Sequence, residues 1–344
     1  MKFDFVIGNP PYQDNTLGEN ETYAPPVYNK FMDAAYEVSD KVELIHPARF
    51  LFNAGSTPKA WNRKMLDDEH FKILHYEDDS SSIFRNTDIK GGVSISYRDS
   101  KRCFGAIGVF TKSPVLNGIL HKITDNDAFT SFSTIVVTRT AYRLTDIMHN
   151  EHPEAINQLS RGHAYDMSTN IFERLPQIFY KNMPKDEYDY IRILGRENNE
   201  RVYKYVRRDY VNKVANLDKY KIFIPKANGI GSFGEVISSP IIGEPAIGST
   251  ETFLSVGFFD TEAEVKTALK YIKTKFSRAM LGVLKTTQDI TPDKWKYVPM
   301  QDFTSSSDID WSQSIANINQ QLYEKYGLSS EEIDFIEENV KEME

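Results

Sequence analysis

The chain has 344 residues, 40% of them hydrophobic and 26% charged, with a net charge of −8 and one cysteine. That composition excludes a disordered chain and leaves room for two domains with separate cores. The single Cys103 excludes an internal disulfide framework and a cysteine metal cluster, and it is expected to be a small core filler in a cytoplasmic protein. No run of 18 apolar residues and no signal peptide is present, so no membrane partner is expected.

The first element is predicted from Phe3-Asp-Phe-Val-Ile7, a short buried strand ended by Gly8. Asn9-Pro10-Pro11-Tyr12 follows as a stiff loop, because two prolines fix φ and push Asn9 into extended backbone. From average residue usage this tetrapeptide arises by chance in a chain this long on the order of once in a thousand. It offers an amide, carbonyls without competing N–H groups and a phenol ring. Those groups suit a flat ring bearing an exocyclic amino group. In open α/β sheets the C-terminal end of a strand is also where ligands bind.

Tyr28–Val38 has helical spacing, and Lys41 to Pro47 reads as a strand. Thr57-Pro58 is predicted to cap and start the next helix, with Trp61, Met65 and Leu66 buried. Short strands are predicted at 71–76, 92–97 and 104–110. Strands alternating with helices give part of a doubly wound sheet, and the chain starts on a strand that reads as central. Composition shifts near Thr124, and the alternation is lost beyond it. Strands are expected at 221–225, 236–242 and 253–257, then a helix at 261–273 capped by Thr261, continued by or packed against 276–284. Residues 305–310 read as a linker to a separable helical tail. Its last helix carries a stripe of Ile333, Ile336, Val340 and Met343, suited to packing on its own protein or to docking a partner.

Charge is unevenly spread. Residues 301–344 hold 11 acidic and 2 basic residues, which leaves +1 on residues 1–300. Residues 196–226 hold 9 basic and 4 acidic residues, and Tyr203, Tyr205, Arg207, Arg208 and Tyr210 interleave aromatic with basic side chains. This mixture suits phosphate contact and base stacking, or an ordinary exposed strand. A second basic stretch runs from Lys266 to Lys285. Gly229-Ile-Gly-Ser-Phe-Gly234 matches G-x-G-x-x-G, but Pro240, Gly243 and Pro245 forbid the helix a phosphate cradle requires. The expectation there is a glycine-rich loop able to approach a DNA backbone. His149 and His152 lack metal-site spacing, His46 reads as a structural histidine, and Asp88-Ile-Lys90 is a nuclease-like fragment with no further carboxylate to join it. No metal site is expected.

Asp4-Phe-Val-Ile-Gly-Asn-Pro-Pro-Tyr12 resembles the catalytic motif of gamma-group adenine-N6 DNA methyltransferases of restriction–modification systems. Ile45-His-Pro-Ala-Arg-Phe-Leu51, Ile89-Lys-Gly-Gly-Val93, residues 270–288, Tyr297-Val-Pro-Met-Gln-Asp-Phe303 and Ile309-Asp-Trp311 are similar to further stretches of that family. The resemblance implies an α/β protein: a partial doubly wound, Rossmann-like methyltransferase sheet over 1–124, then an α+β target recognition domain over 125–304 and an acidic helical tail over 305–344. It implies an enzyme that flips an adenine out of double-stranded DNA, stacks it on Tyr12, and accepts its amino hydrogens on Asn9 and the Pro10 carbonyl. The loop Asn9, Pro10, Pro11 and Tyr12 is then catalytic. The methyl donor is S-adenosylmethionine, bounded by Gly8 and Asn9. Arg207, Arg208, Lys226, Gly231 and Lys285 are the DNA-binding candidates. In that family the cofactor-binding segment precedes the motif, so a polypeptide supplying that segment is an expected partner, and the chain alone is expected to be incomplete. Two other readings stand beside this one: a DNA-specificity module without chemistry, and an anti-restriction partner of a methyltransferase acting through its acidic tail.

Overall fold

Apolar residues at helical spacing on Tyr28–Val38 and at alternating spacing on Lys41–Pro47 build one face of a small α/β unit. The computed structural model describes residues 2–14, 24–53, 55–85, 87, 89, 91–126, 128–285 and 287–343. It contains two units, Met1–Asn117 and Gly118–Glu344. The sheets are small and mixed with helices, and no barrel is formed among the described residues.

The first unit runs β1 (Val6–Gly8), α1 (Tyr28–Val38), β2 (Lys41–Pro47), α2 (Lys59–Leu66), β3 (Phe71–Glu77) and β4 (Val93–Asp99), and α3 (Pro114–Thr124) straddles its end. The strand order is β1-β2-β4-β3. β1 pairs parallel with β2, setting Val6 against Val42, Ile7 against Glu43 and Gly8 against Leu44. β4 lies antiparallel between β2 and β3. Met32 of α1 and Trp61 and Met65 of α2 bury against Val42, Leu44 and Phe71. Trp61 donates its indole N–H to Asp33 at 3.0 Å, so its polar edge is satisfied as its ring is buried.

Four local expectations are corrected. The buried strand at 3–7 is a shorter strand at the edge of the sheet, with Phe3, Phe5 and Ile7 exposed at 52%, 43% and 72%. Val6 turns to the face that α1 and α2 cover, whereas Phe5 and Ile7 project from the opposite face, where Phe5 meets the Tyr97 ring. Thr57 does not cap α2: Pro58 takes the cap position, and Thr57 turns inward to donate to Asn62 Oδ1 at 2.6 Å. No strand forms at 104–110, because Gly105 and Gly108 bend the backbone at φ +85° and +60°. Cys103 lies exposed beside that bend rather than in a core.

The second unit holds β5 (Val136–Val137), α4 (Asp146–Glu151), α5 (Ala155–Gln158), α6 (Ile171–Arg174), β6 (Tyr190–Glu197), β7 (Glu200–Arg207), β8 (Tyr220–Pro225), β9 (Ile241–Gly243), β10 (Ile247–Ser249) and β11 (Phe253–Phe259). The helices α7 (Glu262–Lys273), α8 (Lys275–Gly282), α9 (Ile315–Lys325) and α10 (Ser330–Asn339) complete it. β6 and β7 form a hairpin whose turn, Asn198-Asn199, takes positive φ at both residues, the geometry of a tight two-residue turn. β10 joins β6 in parallel, and the order β5-β11-β8-β9 forms an antiparallel sheet. Thr261 caps α7 in a reciprocal box with Glu264. The C-terminal segment is packed into this unit rather than set apart. Ile318, Leu322, Tyr323, Ile336 and Val340 are buried, and Lys275 pairs with Glu337 at 2.6 Å and Glu342 at 2.7 Å.

Candidate catalytic loop

β1 and β2 run parallel, so both deliver their chain ends to the same end of the sheet. After β1 comes the loop of Gly8, Asn9, Pro10, Pro11 and Tyr12. Asn9 and Pro11 are exposed, and Pro10 and Tyr12 are half-buried. The loop is held from behind: the Tyr12 carbonyl accepts from Val27 N–H at 3.2 Å, and Asp14 N–H donates to the Pro25 carbonyl at 2.9 Å. Among the described residues nothing donates to the Pro10 or Pro11 carbonyls. The prolines have no N–H of their own, so the loop's free polarity is accepting.

Tyr12 meets Phe84 edge-on at 6.4 Å between ring centroids. No signal in the sequence marked Phe84, because a loop aromatic 72 residues away has no periodicity to betray it. Burial pushes the Tyr12 phenol up to about 12, with the adjacent Asn9 side chain opposing the shift. The phenol is therefore neutral at pH 7. Asn9 lies close to it without hydrogen-bond geometry, and the buried Tyr12 hydroxyl has no partner among the described residues. A buried hydroxyl left so costs about 1–3 kcal/mol.

His46, at the end of β2, is held inside the sheet. It is fully buried, with Nε2 2.7 Å from Ser96 Oγ and Nδ1 3.2 Å from the Pro47 carbonyl. The carbonyl requires Nδ1 to carry the proton, which makes Ser96 the donor to Nε2. Burial pushes its pKa down to about 4, and the Tyr28 ring lies parallel to it at 6.1 Å. In Ile89-Lys-Gly-Gly-Val93, Gly91 has φ +87° and a Cβ there would fall 2.6 Å from the Arg49 side chain, so the glycine admits the loop after β2. Asp88 and Lys90 of the nuclease-like fragment lie outside the described residues.

The DNA-binding candidates are engaged within the second unit. Arg207 is buried between the rings of Tyr188 and Tyr210, 3.7 and 4.3 Å from their centroids, and pairs with Glu151 and Asp209 at 2.6 Å each. Arg208 pairs with Asp189 at 2.6 Å and Asp218 at 2.9 Å, and Lys226 with Asp289 at 3.4 Å. Lys285 is buried on the Glu235 carboxylate and donates to the carbonyls of Asn228 and Thr287. That carboxylate also accepts the N–H groups of Ile230 and Gly231 at 3.0 and 3.3 Å, so the glycine loop is filled by an internal anion. Sequence spacing brought these cations together, but the carboxylates they meet come from distant positions. As arranged here, each of these cations already faces a carboxylate.

His149 and His152 are likewise occupied, by the Ala164 carbonyl and the Tyr210 hydroxyl. Among the described residues there is no group of three metal-binding side chains, and no helix is long and apolar enough to cross a membrane.

Residues 1–84, which carry β1, the Asn9–Tyr12 loop, α1, β2, α2 and β3, match the Eco57I restriction-modification methylase family. Over 95 residues the chain is 32% identical to a protein of Mycoplasma pneumoniae (strain ATCC 29342 / M129 / Subtype 1) named "Uncharacterized adenine-specific methylase". That match covers 27% of this chain and 22% of the relative, so the chain spans about a fifth of its length there. Among solved structures it is similar to the type IIG restriction endonuclease BpuSI, at 10% identity and a TM-score of 0.30, covering 92% of this chain and 49% of that one. It is also similar to the type IIL restriction-modification enzyme MmeI in complex with DNA, at 8% identity and a TM-score of 0.31, covering 98% and 56%. The N-terminal segment is thus similar to a restriction-modification methylase domain and to a protein named as an adenine-specific methylase.

Proposed function

We propose that this chain carries the catalytic loop of a DNA adenine-N6 methyltransferase of the restriction–modification type, and that residues 125–304 serve target recognition. The observation that carries this reading is the rigid, acceptor-rich Asn9-Pro10-Pro11-Tyr12 loop at the C-terminal end of β1, within the segment that matches the methylase family. An adenine swung out of the duplex lies on the Tyr12 ring. The Asn9 side-chain oxygen and the Pro10 carbonyl accept its two amino hydrogens, which turns the nitrogen lone pair out of the ring plane. Positive charge grows on that nitrogen as it reacts, and these prealigned oxygens stabilise it without reorganising. No side chain need act as a strong base, and His46 is already engaged on both nitrogens.

S-adenosylmethionine, the donor for this reaction, supplies an electrophilic methyl group. Of this chain, Gly8 and Asn9 would bound it. The glycine loop at 229–234 does not fit it, being filled by Glu235 and followed by no helix. The test is Asn9→Ala in the assembled enzyme. Tritiated methyl transfer to duplex DNA is expected to fall at least a hundredfold while DNA affinity stays within about twofold. Transfer that survives the substitution would remove Asn9 from the chemistry.

A further inference from the structure

Around the turn of the β6–β7 hairpin the sequence reads Arg196-Glu-Asn-Asn-Glu-Arg201, a charge-balanced stretch that composition leaves neutral. The pleat sorts it. Side chains of a strand alternate between faces, and residues directly opposite across a pair share one. Arg196 stands opposite Arg201 and Glu197 opposite Glu200, so the arginines take one face and the glutamates the other. Asn198 and Asn199 hold φ at +52° and +66°, in the two-residue turn that fixes this register. A slip of one residue would instead set Arg196 against Glu200, or Glu197 against Arg201.

Like charges directly opposite one another destabilise a hairpin. Both arginines are exposed, and among the described residues neither has a carboxylate within ion-pair distance. The Arg196 guanidinium donates to the Asn199 carbonyl at 2.9 Å, and Arg201 lies 5.6 Å over the Phe253 ring. Glu197 is turned to the other face, where it pairs with Lys204 at 2.6 Å. Further along the arginine face, Arg192 is neutralised by Glu244 at 2.9 Å and lies 5.5 Å over the ring of Tyr203, which is 37% exposed. Arg207 and Arg208 differ from the pair at the turn, because carboxylates of the fold meet them. The turn presents two adjacent, uncompensated guanidinium groups beside an exposed phenol.

A guanidinium fork matches the oxygens of a phosphate, and two forks side by side match a chain of phosphodiesters. An anion between them also removes their mutual repulsion. We infer that the Arg196–Arg201 face of the β6–β7 hairpin grips the sugar–phosphate backbone of duplex DNA. It positions the duplex and reads no bases, since phosphate contacts carry no sequence information. This rests on the reading of the chain as part of a DNA methyltransferase.

The test titrates the full chain and its Arg196→Glu variant onto two fluorescein-labelled duplexes of unrelated sequence, by anisotropy from about 50 to 200 mM salt. The substitution sets a carboxylate opposite Arg201, so it removes one phosphate contact and occupies the other. Affinity at low salt is expected to fall by roughly tenfold or more, equally on both duplexes, and the salt slope to flatten by about two. The urea midpoint is expected to rise, because an ion pair replaces a repulsion. Arg161→Glu makes the same charge change at another exposed residue of the second unit and should leave affinity within about twofold. A wild-type chain that binds neither duplex, an unchanged slope, a loss confined to one duplex, an equal loss in Arg161→Glu, or a lowered urea midpoint would each overturn the inference. The functional reading fails separately. If the hairpin binds DNA as expected and the assembled enzyme transfers no methyl group, the hairpin site stands and the proposed activity falls. If methyl transfer keeps its wild-type KM for DNA in Arg196→Glu, the activity stands and the hairpin site falls.

Discussion

Lys285 and Glu235 meet inside the second unit, and the same carboxylate takes the amides of Ile230 and Gly231. The pair is nearly sealed from solvent, so each charge depends on the other. Removing one member of a buried pair strands the other and typically costs about 3–5 kcal/mol. Glu235→Ala should therefore destabilise the protein by roughly 3 kcal/mol in urea unfolding. A loss below about 1 kcal/mol would mean that Lys285 finds water or another acceptor once its carboxylate is gone.

Arg207 gives a parallel prediction with a different readout. Its guanidinium lies between two tyrosine rings and bridges Glu151 and Asp209. Arg207→Ala should lower stability by about 2 kcal/mol through lost cation–π contact and two facing carboxylates. A residue contacting phosphate would instead change the salt slope of DNA binding by about one. Fluorescence-anisotropy titrations on duplex DNA from 50 to 200 mM salt should give Arg207→Ala the wild-type slope.

His46 sets a pH dependence. Its pKa in the folded protein is pushed down to about 4, and in the unfolded chain it is near 6.5. Below 6.5 the unfolded state binds a proton that the folded state refuses, so stability falls with pH across the window from 6.5 to 4. The full difference is on the order of 3 kcal/mol. Urea unfolding followed by circular dichroism should show that slope in wild type and lose it in His46→Gln. An unchanged slope in the variant would assign it to other groups.

The legible parts of this molecule were local. The helix at 28–38, the strand at 41–47 and the Thr261 cap follow from spacing and capping chemistry read within a dozen residues. What was not legible depends on distant neighbours. Phe3, Phe5 and Ile7 have the composition of a buried strand, and their exposure depends on which elements cover that face of the sheet, which a window of a few residues does not reveal. The hairpin at 190–207 turns on two asparagines at positive φ, inside a stretch whose charge pattern drew the reading toward DNA. The arginines there look free in sequence, because Glu151, Asp189 and Asp218 approach them only after folding. The candidate loop lay at the opposite extreme. Two consecutive prolines make its stiffness a property of the peptide itself.

Tyr12 separates the two roles of its side chain. The ring is the proposed platform for a base, whereas the hydroxyl is buried without a partner. Tyr12→Phe keeps the platform and removes a group that costs about 1–3 kcal/mol to leave unsatisfied. It should therefore raise stability by up to about 1 kcal/mol, and methyl transfer by the assembled enzyme should stay within a few-fold of wild type. Tyr12→Ala removes the ring itself, and base–aromatic stacking is worth about 1–3 kcal/mol. With 2-aminopurine at the target position, its fluorescence on binding should rise for wild type and Tyr12→Phe and stay low for Tyr12→Ala. If Tyr12→Phe also loses the signal, the hydroxyl has a partner in the complex and the unsatisfied state belongs to the free chain alone.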